Sequence, residues 1–317
     1  MRTVTPAAKA SSPSIQIWVS ARLTVAHCGS TRVVQPLSVV LVHRDQPERL
    51  LDTIDAFRAQ DVPVTITIVD NGSAVVPPVE ADDVTVVLNG RNLGFGPAVN
   101  IGYRKFLADK DAGDWVVIAP HDALPEPTCL SSMLRVLADH PRAGLACADV
   151  GDGMTPIVDP YLGGILVPGS VAKGWEPIGQ PHGTLMLARR ACLDEVGVFD
   201  ERYFAYIEEA DLALRAKAAG WESGLVRGAM VKNPYVGSAS AAIDYLQQRN
   251  TLLLVREHFG RYHAFVRLGI ALWFLVAGAV RPARRDPYWS GEGSTRGILD
   301  FVRGRFGPPP PHLFVKR

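Results

Sequence analysis

Val64-Thr-Ile-Thr-Ile-Val-Asp-Asn-Gly-Ser73 alternates β-branched residues and then stops at a turn former, which makes it a strand with a carboxylate and an amide at its end. Upstream, Leu37 to Val42 is a short apolar run closing on His43-Arg44-Asp45. Pro47 to Gln60 then carries Leu50, Leu51, Ile54 and Phe57 at helical spacing, so the order is strand and then helix. Downstream, Val84 to Leu88 is another strand, Asn92 to Gly102 is a glycine-containing loop entering a helix through Pro97, and Trp115 to Ala119 is the next strand. This alternation predicts an α/β fold with a parallel-rich sheet. Such sheets bind ligands beyond the carboxyl ends of their strands, and three polar clusters fall there: Asp70-Asn71, Asn92 to Asn100, and His121-Asp122. Each is ordinary alone, since Asp-Asn-Gly is foremost a turn. Together they outline a nucleotide pocket.

Further on, Phe199-Asp-Glu-Arg-Tyr-Phe-Ala-Tyr-Ile-Glu-Glu-Ala-Asp-Leu212 sets a carboxylate cluster between aromatics and a helix that Gly220 can end. Glu208, Glu209 and Asp211 in a first helical turn complement the helix dipole, which is the structural reading of such acids. Their position after the first half of a nucleotide pocket favours chemistry instead. On a helix Glu208 and Asp211 share a face while Glu209 points about 100° away, so the three cannot address one hydroxyl equally. Between these halves, Asp159 to Pro181 is rich in glycine and proline and reads as a loop over an acceptor site. Trp175 within it either stacks on a sugar face or packs under its own loop. His182-Gly183-Thr184 opens a strand over Leu185 to Ala188, with Gly183 permitting close approach of a ligand. Tyr245 to Arg256 reads as a helix carrying Arg249-Asn250.

A length of 317 residues suits one large α/β domain with appendages, and 47% hydrophobic with 21% charged residues describes a chain able to bury a full core. The net charge of +1 gives no sign of nucleic-acid binding. Cys28, Cys129, Cys147 and Cys192 lack metal or disulfide spacing, which implies a reducing, cytoplasmic setting. Residues 1–36 hold no acid and read as an added strand, a disordered arm, or translation from an upstream start. Leu268 to Val280 is apolar but shorter than the roughly 20 residues of a bilayer span, so it is not expected to cross. Arg281 to Arg317 then hold eight basic residues against three acids. An apolar helix with a basic tail suits either the surface of an anionic membrane or a buried terminal helix.

The ordered set Ser38-Val-Val-Leu-Val-His43, Ile68-Val-Asp-Asn-Gly-Ser73, Asn92-Leu-Gly-Phe-Gly-Pro-Ala-Val-Asn100 and Phe199-Asp-Glu through Glu209-Ala-Asp-Leu resembles the family 2 glycosyltransferases. The resemblance covers about residues 37–258 and implies the GT-A fold, with an N-terminal extension at 1–36 and a C-terminal helix and basic tail at 259–317. It is most similar to the bacterial branch that transfers rhamnose and related sugars in envelope polysaccharide assembly. It implies a nucleoside-diphosphate-sugar donor, a glycan or lipid-linked acceptor, and a place at the cytoplasmic face of the membrane.

Within that resemblance Asp70 contacts the base, and Asn71, Asn92, Gly94, Asn100, His121 and Gly183 line the donor. Asp122, alone in Pro120-His-Asp-Ala123, is what remains of the family's metal element, so Mg²⁺ or Mn²⁺ would be held by one carboxylate with diphosphate oxygens. His121 is a possible helper. No histidine occurs in Val231-Lys-Asn-Pro-Tyr235, where relatives often place a further ligand. If the metal binds weakly, Lys232 or Arg249 is left to stabilise the leaving diphosphate. Trp175 and Arg249 are the acceptor-side candidates. Glu209 falls at the family's base position, where aspartate is the rule, with Glu208 or Asp211 as alternatives. The reaction implied is an inverting displacement. A degenerate nucleotide-sugar-binding scaffold of the same fold is the competing reading, and a nucleotidyltransferase ranks third.

Overall fold

The computed structural model describes residues 35–75, 79, 81–234, 241–285 and 287–314. Expectations for residues 1–34 with Cys28, for Tyr235 and for the tail end at 315–317 lie outside the described residues.

The first half runs β1 (Leu37–His43), α1 (Pro47–Arg58), β2 (Val64–Asp70), β3 (Val84–Leu88), α2 (Phe95–Ala108) and β4 (Trp115–Pro120). These match the expected elements to within two residues wherever a boundary was expected; the end of α2 was not. After them come β5 (Leu124–Pro125), α3 (Cys129–Ala138), β6 (Ala143–Asp149), β7 (Met154–Asp159), β8 (Gly163–Pro168), β9 (Gly174–Pro177), β10 (Met186–Arg189) and α4 (Arg190–Val196). The chain ends with α5 (Glu208–Ala218), β11 (Glu222–Lys232), α6 (Ala241–Phe259), α7 (Arg261–Val280) and α8 (Gly291–Val302).

The main sheet has the order β3-β2-β1-β4-β10-β6-β11-β5, with β9 added on β11, while β7 and β8 form a separate ribbon. Strands β1, β2, β3 and β4 run parallel, as do β6 and β11, and β10 lies antiparallel between β4 and β6. Period-two alternation divides β1 between two cores. Val39 and Leu41 pack with Leu50, Ile54 and Phe57 of α1 and Leu130 and Met133 of α3. Val40 and Val42 pack on the other face with Val99, Tyr103 and Phe106 of α2 and Leu212 of α5. Because both faces are covered, the strand reads as a continuous apolar run. Register sets His43 beside Asp70 and Val42 beside Pro120, which brings the polar strand ends to one edge of the sheet.

Two expectations change here. Asp159 to Pro181 is not a free loop, because β8 and β9 occupy nearly half of it and β9 joins the sheet through pairs such as Trp175 with Val226. The apolar run after Arg267 is part of a longer helix: α7 has 20 residues, a mean hydropathy of 1.8 and only 22% of its apolar window buried. The 13-residue run understated it because helix formation continues through Arg261 to Arg267, whose residues favour helix without being uniformly apolar. By length and composition α7 is long enough to span a bilayer. It packs along α6 and α8 through Ala264, Arg267, Ala271 and Gly278, and turns its other face outward.

Candidate active site

The site is built where the carboxyl ends of β1, β2 and β4 meet the start of α2 and the segment leading into α5. Asp70 is buried at the end of β2, where its carboxylate meets His43 Nδ1 at 3.0 Å and accepts from the Ser73 backbone at 3.1 Å and from the Ser73 hydroxyl. Burial alone would raise its pKa, but these hydrogen bonds outweigh it and hold the carboxyl below its usual value. The Asx turn is therefore formed, and most of Asp70's accepting capacity is used within the protein.

Asn71 serves the loop in a similar way. Its amide nitrogen donates to Asn92 Oδ1 at 3.1 Å and to the Gly94 carbonyl at 3.0 Å, and its oxygen accepts from Leu93 N at 2.8 Å. Asn92 also caps Gly94 N at 2.9 Å. Asn100 is a correction to the expected donor contact. It is fully buried on α2 and clamps Phe199, accepting from its N–H at 3.0 Å and donating to its carbonyl at 2.9 Å. Gly94 has φ of 96° and lies so close to the Phe204 carbonyl that any β-carbon would overlap it.

The approach to α5 carries unusual backbone geometry. Phe204, Tyr206 and Ile207 all have positive φ, at 67°, 66° and 76°. A β-branched residue such as Ile207 in this region is a true outlier, and such strain persists only where surroundings hold it. Asn250 supplies that hold, directing its amide nitrogen at the carbonyls of Tyr203, Ala205 and Tyr206, each at 2.8 Å.

Arg249 assists, donating to the Tyr203 carbonyl at 3.2 Å and the Gly307 carbonyl at 2.7 Å. With 0% exposure, Arg249 cannot meet an acceptor or a diphosphate, and that expectation is corrected: it fixes the chain and does not face the ligand. Sequence reasoning paired Asn250 with Arg249 but gave it no role, because a side chain that caps three carbonyls some 45 residues away leaves no local signal.

The three acids at the start of α5 separate into different environments. Asp211 is buried between His258 at 2.8 Å and Arg215 at 2.8 Å. Burial opposes its ionisation, yet hydrogen bonds from His258 and Arg215 keep its pKa below the ordinary value. Fully engaged in this way, Asp211 is structural, which removes it as an alternative base. Glu208 is buried against the first turn of α2, beside Gly96, with Oε2 lacking a hydrogen-bond partner among the described residues. Burial first, then the neighbouring Glu209 carboxylate, pushes its pKa well up. Glu209 keeps part of its surface accessible and lies against Gly183, which the ring of Phe95 also approaches. Burial pushes its carboxyl up to about 7. A carboxylate poised near neutrality and open to a ligand can remove a proton from a hydroxyl. Gly183 meets this carboxylate, where the sequence reading expected it to admit the donor sugar.

His121 follows β4, with Nδ1 3.3 Å from the Val42 carbonyl and its ring edge-on to His43 at 5.4 Å. Burial lowers its pKa. Asp122 accepts from Asn233 Nδ2 at 3.2 Å. No group of three or more metal-binding side chains occurs among the described residues. This set fits a divalent cation held mainly by diphosphate oxygens and water, with one protein carboxylate. Lys232 lies at the surface, paired with Glu126 at 3.2 Å.

Trp175 is a further correction. It stacks on His140 at 4.6 Å and covers Gly224 on the α1/α3 face of the sheet, so it is a packing residue rather than an acceptor platform. Nearby, a buried cluster unmarked by any motif joins β6, β9 and β11: Arg227 meets Glu176 at 2.5 Å and Asp149 at 3.4 Å.

Comparison with known proteins gives the family and the fold. The sequence profile described as Glycosyl transferase family 2 matches residues 38–196, half of the chain, and ends before α5. An N-acetylglucosaminyl-diphospho-decaprenol L-rhamnosyltransferase of Mycobacterium tuberculosis is 29% identical over 282 residues, covering 75% of this chain and 91% of that protein. Among solved structures, the mannosyltransferase PcManGT from Pyrobaculum calidifontis, in complex with GDP-Man and Mn²⁺, has a TM-score of 0.57 at 16% identity, covering 85% of this chain and 88% of its own. GalNAc-T7 with UDP, GalNAc and Mn²⁺ gives 0.59 at 14% identity, covering 86% and 57% respectively. These likenesses establish the GT-A fold.

Proposed function

The chain belongs to glycosyl transferase family 2 and is a glycosyltransferase, and from that premise we propose that it transfers rhamnose, with inversion, from a nucleoside diphosphate to an N-acetylglucosamine carried on a polyprenyl diphosphate. The observation that supports the mechanism is that Glu209, part-exposed at the start of α5 and against Gly183, has its carboxyl raised to about 7. Glu209 takes the proton of the acceptor hydroxyl as that oxygen attacks the anomeric carbon. The nucleoside diphosphate departs from the opposite face. Burial and the Glu209 carboxylate both oppose ionisation of Glu208 beside it, which disfavours a second negative charge in the same surroundings.

The first turn of α2, which contains no acid, offers backbone N–H groups toward donor phosphate oxygens. Asp122 would hold a divalent cation, with His121 adjacent; bound there, the ion neutralises charge on the diphosphate. The relatives crystallised with Mn²⁺ support this assignment. The outward apolar face of α7, with Phe265 74% and Trp273 69% exposed, supports a peripheral seat on the membrane that supplies a lipid-linked acceptor.

The test is to incubate purified protein with a panel of nucleoside-diphosphate sugars and a polyprenyl-diphosphate-linked N-acetylglucosamine, with and without Mg²⁺ or Mn²⁺. Nucleoside diphosphate released in step with a rhamnosylated lipid is the expected result. Donor binding without transfer, together with full cellular function of Glu209→Ala, would return the chain to the scaffold reading.

A further inference from the structure

A cavity of about 670 Å³ lies between α6, α7 and the segment between α7 and α8, on the face of α6 that carries Asp244 and Gln248. Tyr245 and Leu246, on another side of the same helix, pack toward Phe204, so the cavity is separate from the site around Glu209. Its composition is two-sided. Trp273, Phe274, Val276 and Val280 of α7 give it an apolar wall that continues onto the exposed face of the helix. Arg267, Arg281 and Arg285 give it positive charge.

Arg267 is the decisive residue. It is 7% exposed, and among the described residues its only hydrogen bond is a 3.4 Å contact from Nη2 to Gln248, which leaves Nε and Nη1 without partners there. An isolated buried guanidinium is costly, and native proteins ordinarily pair such charges. Asp244 lines the same cavity but is engaged elsewhere. It accepts from Ser290 N at 2.9 Å and Ser294 Oγ at 2.6 Å and forms no ion pair with Arg267. Trp289 contributes another unpartnered donor, its Nε1, while its ring is covered by the Arg285 guanidinium at 4.2 Å. Two residues with unpartnered buried donors thus line a space that has an apolar wall on α7 and polar side chains from α6 opposite.

We propose that this cavity binds the phosphate headgroup of an anionic membrane phospholipid, with Arg267 and Trp289 donating to the phosphate oxygens and the acyl chains lying along α7. A guanidinium matches phosphate geometry, and the aliphatic wall excludes a purely aqueous anion. The site refines the peripheral membrane seat suggested above by giving it a specific headgroup contact. It rests on that reading, but not on the choice of donor sugar.

The experiment is co-sedimentation of the full chain with phosphatidylcholine vesicles, with and without phosphatidylglycerol. Wild-type protein should bind better when phosphatidylglycerol is present. Arg267→Gln should lose about tenfold of that binding, the effect of removing a charge-assisted hydrogen bond, and should keep its binding to phosphatidylcholine alone. Ala277→Trp, which fills the cavity and leaves Arg267 in place, should produce the same loss and decides the matter if Arg267→Gln does not fold. Arg303→Gln, at an exposed position outside the cavity, sets the effect of one surface charge.

Equal binding by Arg267→Gln and Arg303→Gln would overturn the proposal. So would inorganic phosphate that releases the protein from mixed vesicles at concentrations comparable to lipid phosphate, because the site would then prefer a free anion. Transfer to a water-soluble acceptor, measured in parallel, should be unchanged in Arg267→Gln. Failure of that assay in the wild type would count against the transfer reading and leave the lipid site standing.

Discussion

Gly183 lies directly against the Glu209 carboxylate, so that a β-carbon at 183 would overlap Oε1. The atom it would strike is the far end of a flexible side chain, so the fold can absorb a methyl group while the carboxylate is displaced. Gly183→Ala is therefore expected to keep a melting temperature close to wild type and to lose about 10²-fold in turnover, the cost of misplacing a catalytic group by about an ångström. Thermal unfolding measured beside a transfer assay checks this. Unchanged turnover would remove Glu209 from the reaction.

Ionisation of Glu209 should govern the acid limb of the rate profile. A base must be unprotonated, so kcat/KM is expected to rise with pH through about 7 and then level off. Glu209→Gln should abolish that limb and cost about 10² to 10⁴-fold in rate. Stability should move the opposite way. The folded protein holds this proton above the ordinary value of 4.5, so ionisation costs stability as pH climbs from 4.5 through about 7. Glu209→Gln should accordingly melt higher than wild type in alkaline buffer and the same in acid, by calorimetry.

Asn250 holds the strained approach to α5 through three backbone carbonyls. Asn250→Ala leaves buried acceptors unsatisfied and is expected to cost about 1–3 kcal/mol in denaturant titrations. Because Phe204, Tyr206 and Ile207 are free to relax once released, turnover should fall at temperatures where the variant is still folded. Normal turnover in the folded variant would show that this geometry serves stability alone.

The buried cluster around Arg227 predicts an acid-sensitive element away from the pocket. Burial on its own would raise the Glu176 pKa, but hydrogen bonds from Ser170, Thr155 and Arg227 outweigh it and bring the carboxyl to about 2. Its contribution is present above the ordinary 4.5 and is lost as pH falls from there toward 2. Arg227→Met leaves Glu176 buried without its cation and should cost about 3–5 kcal/mol at neutral pH. Glu176→Gln with Arg227→Met should recover much of that loss, which a double-mutant cycle reads directly.

The nucleotide half of the fold was legible in the sequence because its signals are local. β-branched alternation in Val64 to Val69 makes a strand wherever the chain goes, and Asp70-Asn-Gly-Ser73 turns at its end. The family's ordered motifs added the GT-A fold and singled out Glu209 among three acids. The acceptor half was less legible. Asp159 to Pro181 carries enough glycine and proline to read as loop, yet backbone pairing to β11 and the Glu176–Arg227 contact make part of it strand. Trp175 and Arg249 looked suited to ligands because aromatics and cations often are, and nothing local reveals that both face inward.

What the sequence determined by itself was the order of strands and helices, the polar strand ends, and the carboxylate cluster at Glu208 to Asp211, all set by short-range periodicity and turn chemistry. Only the tertiary structure decided what surrounds each acid. His258 and Arg215 claim Asp211, the first turn of α2 covers Glu208, and Glu209 alone remains beside Gly183 with a carboxyl near neutrality. The physical reason is that ionisation depends on burial and on charged neighbours, and here those neighbours lie up to 47 residues from the acid they control.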